Sequence, residues 1–191
     1  MASGRVSERT LSDVPLEFPA VDGRLVGRDS QFGYAITPCT IGGPNRYGPP
    51  FQGILIDSIV KLDLHSGAVA GRWQAPNGFY LVSEPSFVPR LGTEAGSGDE
   101  GYLLVYVCAA AGSETAAAEA RDGRTSESAD GRASRLYIID AREMTAEGEQ
   151  DLNADSALGG GGAVTALSLP GAVPYGLHSC WLPYSDLPKA R

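Results

Sequence analysis

The sequence predicts an all-β chain in which short antiparallel strands follow one another as a meander. Short runs rich in β-branched and aromatic residues recur along the 191 residues, and clusters of Gly and Pro separate them. No long segment has the apolar period of a helix, and the 25 glycines and 13 prolines fit this assignment. A chain of this length permits one domain.

Seven strands are predicted in chain order, and turn residues separate them. The turn Ser66-Gly67 lies between the first two, and Pro85 precedes the third. Gly101 precedes the fourth, the tetraglycine 159–162 precedes the sixth, and Gly176 precedes the seventh. The predicted ranges are 53–64, 69–74, 87–88, 102–109, 135–139, 164–169 and 177–182.

Two segments between these strands are predicted to be low-complexity loops. Residues 110–134 consist of Ala, Ser, Gly and charged residues, and residues 145–163 are similar and contain the tetraglycine. Segments of this composition bury little apolar surface, so we expect both to be mobile. Residues 113–120 are shorter than the ~12–15 residues at which isolated helices become stable, so disorder is the preferred prediction there.

Composition narrows the class of function. The formal net charge is −8, from 23 acidic and 15 basic residues, and no basic stripe with interleaved aromatics occurs, which disfavours nucleic-acid binding. No apolar run approaches the ~20 residues of a membrane span. The three cysteines are widely spaced without a CxxC pair, which predicts reduced thiols in an intracellular compartment.

Two ionisable side chains stand inside apolar, strand-like runs: Glu84 in residues 83–90 and His178 in residues 174–182. Burying a polar group without a partner costs roughly 2–7 kcal/mol, so we expect each to have a partner, either the other or a metal. Strand alternation would place Gly176 and Cys180 beside His178 and leave room for a ligand. The alternative, favoured by the local sequence alone, is a core histidine bonded to a backbone carbonyl.

His65 is the other of the two histidines. Alternation puts it on the polar face with Lys61 and Asp63, and the turn Ser66-Gly67 follows it. It is therefore predicted to face solvent and to have no ligand role.

An ordered set of motifs extends this interpretation. It resembles the C-terminal part of the carotenoid cleavage oxygenases, which include carotenoid, apocarotenoid and lignostilbene dioxygenases and the retinoid isomerase. The resemblance runs from Leu11 to Pro183, and the order and spacing of its blocks make it specific. The blocks are LEFP (16–19), GR (27–28), IVKLD (59–63), SEPSFVPR (83–90), DEGYLL (99–104), IIDA (138–141) and VPYGLH (173–178).

The resemblance implies a seven-bladed β-propeller with a ferrous ion, Fe(2+), held by four histidines. By its motif, His178 matches the last of these ligands. Glu17 and Glu84 match glutamates that accept hydrogen bonds from iron-bound histidines, which fixes the imidazole tautomer and orientation. The implied reaction adds both atoms of dioxygen across a conjugated double bond of a carotenoid or apocarotenoid.

The chain departs from the family in one respect. Two histidines do not supply four ligands, so residues 1–191 are interpreted as the C-terminal portion of an oxygenase propeller, incomplete and not expected to be active alone. Two alternatives stay open. One is a non-catalytic fragment that acts as a binding module through exposed strand edges. The other is an unrelated β protein with His178 in its core.

Partners and location follow only from the resemblance. It implies a carotenoid or apocarotenoid substrate and dioxygen in the full-length context, and any peripheral membrane contact would lie outside this chain. A plastid is the location suggested by family analogy, and otherwise the cytoplasm.

Overall fold

A computed structural model of the chain describes residues 4, 6–38, 56–76, 78–110, 133–144, 146, 161–176 and 178–187. Within these ranges it has nine β-strands, 3-10 turns at Gly23–Leu25 and Tyr184–Asp186, and no α-helix. The strands are β1 Glu17–Ala20, β2 Phe32–Pro38, β3 Ile56–Asp63, β4 Val69–Gln74, β5 Phe79–Leu81, β6 Ser86–Pro89, β7 Gly101–Ala109, β8 Ser134–Asp140 and β9 Ala163–Ser168.

The strands form two antiparallel sheets. The first is a meander in the order β1-β2-β3-β4, and the second has the order β5-β7-β8-β9, with β6 also paired to β7. Every pairing is antiparallel. The all-β antiparallel prediction is therefore confirmed.

Most predicted strands agree with the structure. β4 has the predicted bounds, and β6, β7, β8 and β9 differ from theirs by one or two residues. β1, β2 and β5 were missed: β2 contains Gly33 and ends on Pro38, and β5 has only three residues. Such features weaken a strand pattern.

The predicted strand at 177–182 is wrong. Residues 178–182 form no strand, and the side chains of Trp181 and Leu182 are about half exposed. The run is apolar, but its described backbone contacts go to the Glu84 side chain instead of a neighbouring strand. The two predicted loops, 110–134 and 145–163, lie largely outside the described residues, as do the start of the first predicted strand and the segment 113–120.

One hydrophobic core joins the two sheets. Trp73 of β4 packs on Tyr137 of β8 with ring centroids 5.1 Å apart, and Tyr34 of β2 stacks on Phe87 of β6 at 5.8 Å. Large apolar side chains of both sheets line the rest of this cluster. Burial of this kind stabilises by about 25 cal/mol per Å² of apolar surface, so the sheets form one packed unit.

A buried lysine also connects the sheets. Lys61 Nζ on β3 donates to Asp99 Oδ2 at 2.8 Å and to the Ala141 carbonyl at 2.9 Å, beyond the ends of β7 and β8. Its ammonium also lies 4.1 Å from the centroid of the Phe32 ring. The hydroxyl of Tyr34 donates to the Gly98 carbonyl at 2.9 Å. These contacts place the loop 96–100 against the first sheet.

The described part of the chain has no helix with the length and apolar character needed to cross a membrane.

Candidate metal-ligand site

The chain after β9 contacts the start of β8 and the residues at and just after β5. This C-terminal arm comprises residues 169–176 and 178–187. The Val173 N–H donates to Ser134 Oγ at 2.9 Å, and the Gly176 N–H donates to the Val82 carbonyl at 2.8 Å. Val173 also packs beside the buried side chains of Tyr80 and Val82. These contacts bring the arm to the loop between β5 and β6, where Glu84 lies.

Glu84 and His178 are in contact, although His178 is not buried as the apolar run had suggested. Glu84 Oε2 lies 3.4 Å from His178 Nδ1, a long contact, while Glu84 Oε1 accepts the Ser179 N–H at 2.8 Å. The Glu84 side chain is 19% exposed and that of His178 is 75% exposed. One carboxylate oxygen thus holds the arm backbone, and the other faces the imidazole.

Phe18 is the second neighbour of the imidazole. Its ring meets that of His178 edge-on, with centroids 5.5 Å apart and an interplanar angle of 88°. Phe18 has φ of 50°, in the left-handed region that a bulky residue rarely adopts. The strain coincides with a register shift between Glu17 and Ala20 in the β1–β2 pairing. Such a bulge re-aims a side chain, here toward His178.

The predicted environment of His178 needs correction. Because residues 178–182 form no strand, Gly176 and Cys180 do not line a strand face beside the imidazole. His178 is not a core histidine either, since three quarters of its side chain is exposed and its ring nitrogen faces a carboxylate. The Glu84 carboxylate approaches Nδ1 of the imidazole, so Nε2 is the ring nitrogen that Glu84 does not contact.

Glu17 does not contact His178. It lies on β1 next to Phe18, and its side chain is exposed. Within the described ranges its carboxylate has no hydrogen-bond partner or ion pair. The role that the motif implied for Glu17, as an acceptor for an iron-bound imidazole, requires a histidine from outside these ranges and stays a prediction.

His65 occupies the turn between β3 and β4, and its prediction as a solvent-facing residue is confirmed. Its Nε2 lies 2.9 Å from Asp29 Oδ1, and the hydrogen bond to this carboxylate raises the pKa of His65. Asp63 Oδ1 accepts the N–H groups of His65 and Ser66 and orders the turn. His65 is therefore a separate surface residue.

The donor set at His178 suits one metal ligand. A neutral imidazole that donates from Nδ1 to a carboxylate presents Nε2 to a metal, the usual arrangement for histidine ligands. In the described part of the chain, no group of three or more His, Cys, Asp or Glu side chains converges to hold an ion. Among the described residues, His178 could therefore supply one ligand of a metal centre and not a complete site.

A cleft of about 230 Å³ borders the same loop. The residues that line it include Glu84, Ser86, Ser179, Cys180 and Trp181. Cys180 is an exposed free thiol, whereas Cys108 on β7 is a buried one. Sequence reasoning missed Phe18, Ser86 and Ser179, because a bulge and a side-chain bond across 93 residues leave no local pattern.

Comparison with known proteins identifies the class. Residues 1–183 match the retinal pigment epithelial membrane protein family. The apocarotenoid-15,15'-oxygenase of Synechocystis sp. is 30% identical over 180 residues, 94% of this chain and 27% of that protein. Carotenoid cleavage dioxygenase 7, chloroplastic, of Oryza sativa subsp. japonica is 36% identical over 104 residues, 53% of this chain and 15% of that protein.

Solved structures agree with the sequence comparison. The lignostilbene dioxygenase of Pseudomonas brassicacearum superposes with a TM-score of 0.63 at 26% identity, over 95% of this chain and 30% of that one. The two sheets therefore have the fold of part of a carotenoid oxygenase, a β-propeller. The chain belongs to the retinal pigment epithelial membrane protein family. It spans 27% to 30% of the length of the Synechocystis and Pseudomonas relatives.

Proposed function

We propose that residues 1–191 are the C-terminal portion of a non-haem ferrous dioxygenase that cleaves a conjugated double bond of a carotenoid or apocarotenoid. The observation that carries the proposal is the contact between Glu84 Oε2 and His178 Nδ1, in a chain whose relatives include carotenoid cleavage dioxygenases. Three further ligands would come from other parts of the full-length polypeptide. The segments 110–134 and 145–163 would be loops between its strands.

In this proposal His178 is the iron ligand that the chain contributes. Glu84 holds the proton on Nδ1, which leaves the lone pair on Nε2 for the metal. The Phe18 ring limits rotation of the imidazole about its side-chain bonds. Glu17 would accept a hydrogen bond from another iron-bound histidine and offset the charge of a centre built from neutral imidazoles.

Ferrous iron, when bound, supplies the binding of dioxygen. The protein supplies the geometry: the carboxylate of Glu84 and the ring of Phe18 hold the imidazole in one orientation before the metal arrives. A ligand that is oriented in advance loses less conformational entropy on binding. The substrate would be a polyene, since relatives from Synechocystis and rice are named for apocarotenoids and carotenoids.

The test is a pair of histidine substitutions in the native-length polypeptide. We expect His178→Ala to lose stoichiometric iron and the cleavage of an apocarotenal, because no other described residue replaces the imidazole. His65→Ala is the matched control, because it removes the other histidine from an exposed turn. Iron is measured by metal analysis after gel filtration, and cleavage by chromatography of the carbonyl products. Wild-type iron content in His178→Ala would overturn the ligand assignment.

The native length of the polypeptide decides between the proposal and its alternative, a non-catalytic binding module. The exposed apolar side chains of Tyr175, Trp181, Leu182 and Tyr184 favour association with another protein surface. An immunoblot of source cells with an antibody against residues 135–141 measures the length. A band well above 19.9 kDa supports the oxygenase, and a single band at 19.9 kDa supports the binding module.

We propose the plastid as the compartment of the full-length enzyme. The support is analogy, since the rice relative is named as chloroplastic. Fractionation of source cells with the same antibody tests it, and a band confined to the cytosolic fraction would contradict it.

A further inference from the structure

Ser179 makes three polar contacts next to His178, the candidate metal ligand. Its N–H donates to Glu84 Oε1 at 2.8 Å, its hydroxyl donates to the Glu84 backbone carbonyl at 3.1 Å, and its Oγ lies 3.0 Å from Ser86 Oγ. It is the residue directly after His178 and is half-buried. Both ends of Glu84, carboxylate and carbonyl, are thus bonded to the same serine.

The direction of these hydrogen bonds follows from counting protons. A serine hydroxyl has one proton and two lone pairs. Because the Glu84 carbonyl only accepts, the Ser179 proton is used there, and Ser179 Oγ must accept the proton of Ser86. The result is an ordered chain from Ser86 through Ser179 to Glu84. The two hydrogen bonds restrict the hydroxyl rotamers of Ser86 and Ser179 and hold the Glu84 carbonyl in place.

We propose that Ser179 is a positioning residue that acts through Glu84 to orient His178. This inference deepens the proposed function and rests on it. The backbone N–H of Ser179 fixes only one carboxylate oxygen, whereas its hydroxyl fixes the main chain from which that carboxylate projects. With the hydroxyl bond in place, Glu84 Oε2 stays directed at His178 Nδ1.

The rest of the loop makes this hydroxyl important. On the side before Glu84, Ser83 Oγ accepts the Tyr106 N–H of β7 at 3.1 Å and anchors the loop to the sheet. On the side after it, β6 begins at Ser86. Within the described part of the chain, the Glu84 carbonyl between these anchors is held by the Ser179 hydroxyl. Loss of the Ser179 hydroxyl therefore removes the hydrogen bond that holds the main chain at Glu84, the residue whose carboxylate is directed at His178.

The first test uses the 191-residue chain and needs no metal. An amide that donates to a carboxylate has a downfield proton shift and slow hydrogen exchange, so the amide of residue 179 reports the position of Glu84. In Ser179→Ala we expect this resonance to move upfield and its exchange to accelerate about 2- to 10-fold, the range that one neutral hydrogen bond supplies. In Ser179→Thr, which keeps the hydroxyl, both should stay near the wild-type values.

Two further variants complete this test. Ser86→Ala removes the partner of Ser179 Oγ from the opposite side and should produce a smaller change of the same sign, so it gives a result even where Ser179→Ala fails to fold. Ser185→Ala is the control, since Ser185 is an exposed arm residue whose hydroxyl bonds only to Asp186 among the described contacts. An unchanged residue-179 amide in both Ser179→Ala and Ser86→Ala overturns the inference.

The second test separates this inference from the proposed function. In the native-length polypeptide, iron release to a chelator should be about 2- to 10-fold faster for Ser179→Ala than for Ser179→Thr. Iron loss in His178→Ala with wild-type release in Ser179→Ala refutes the positioning role alone. Wild-type iron in His178→Ala refutes the proposed function, while the amide measurement still decides whether Ser179 holds Glu84.

Discussion

At the scale of single residues, the candidate site depends on the two oxygens of one carboxylate. Glu84 Oε1 accepts a backbone N–H from the arm, and Oε2 faces the imidazole of His178. The first contact fixes where the second one points. A substitution that keeps the shape of the Glu84 side chain but removes its charge therefore shows which of the two the site requires.

Glu84→Gln tests this separation. The amide oxygen can still accept the Ser179 N–H, which turns the amide NH₂ toward His178 Nδ1. A donor there favours the tautomer with its proton on Nε2, the nitrogen proposed to bind iron. We expect iron affinity of the native-length polypeptide to fall about 10- to 100-fold with the fold retained, measured by chelator competition. Glu143→Gln, at an exposed glutamate, is the control, and equal affinities in the two variants would contradict the role of Glu84.

The residues of the site differ in how far the sequence predicts them. Glu84 and His178 were singled out as ionisable residues inside apolar runs, and they are in contact. The exposure of His178 was not predictable. The alternation of side chains assumed a strand at 177–182, and residues 178–182 form none. Phe18 and Ser179 act through tertiary geometry, a positive φ and bonds to a distant loop, which no local pattern encodes.

At the scale of elements, turns with left-handed residues determine where strands meet. Gly67 has φ of 81° between β3 and β4, and a Cβ built on it would lie 1.9 Å from the Leu11 carbonyl oxygen. Gly27 has nearly the same conformation, φ of 75°, with nothing within 4 Å of such a Cβ. The two glycines differ in surroundings and share a backbone requirement.

Gly67→Ala should therefore destabilise the chain more than Gly27→Ala. Both pay the left-handed penalty of roughly 1–2 kcal/mol for an L-residue. Only Gly67→Ala also forces the backbone at Leu11 to move. Urea unfolding of the two variants and the wild type measures the free energies, and the difference between the variants isolates the contact with Leu11. Equal losses would mean that residues near Leu11 are not held against this turn.

The elements were predicted best where side-chain pattern and turn chemistry coincide. β4 follows a Ser-Gly turn and has the predicted bounds. β1 was missed because its bulge breaks the alternation, and β5 because three residues are too few for a pattern. Residues 177–182 were predicted as a strand because apolar content is shared by strands and by segments that cover another surface.

At the scale of the whole molecule, the loop 96–100 links the two sheets. The N–H groups of Gln31 and Phe32 both donate to the Ser97 carbonyl, at 3.0 and 2.9 Å. Glu100 closes the loop by accepting N–H bonds from Gly96, Ser97 and Gly98, each at 3.1 Å. Burial disfavours the Glu100 carboxylate, but these bonds outweigh it and lower its pKa to about 2.

The lowered pKa of Glu100 predicts that the free energy of unfolding decreases at acid pH. Because the pKa in the folded chain lies below the ordinary 4.5, its contribution is present above pH 4.5 and is lost as the pH falls toward 2. One such group loses on the order of 2 kcal/mol between about pH 5.5 and pH 2.5. Urea unfolding at both pH values measures the loss, and Glu100→Gln should remove this share.

Asp63 is a second carboxylate that contributes to the loss of stability in acid, and the Glu100→Gln variant distinguishes the two contributions. Hydrogen bonds from the Ser66 backbone, the Gln31 side chain and the Ser66 hydroxyl lower the pKa of Asp63 to about 2. Stability lost with acid is therefore reduced in Glu100→Gln and not abolished. The same loss in Glu100→Gln and in the wild type would show that the loop 96–100 does not hold its carboxylate in solution.

The arm that carries His178 has a thermodynamic consequence of its own. Its described backbone bonds to the second sheet are few, and segments of this kind open at far lower free energy than the strands beneath them. A population of chains with intact sheets therefore divides into docked and undocked forms. Only the docked fraction presents an oriented imidazole. If His178 binds iron as proposed, the apparent dissociation constant is the intrinsic one divided by that fraction. Two variants with the same melting temperature but different docking of the arm would thus differ in metal affinity.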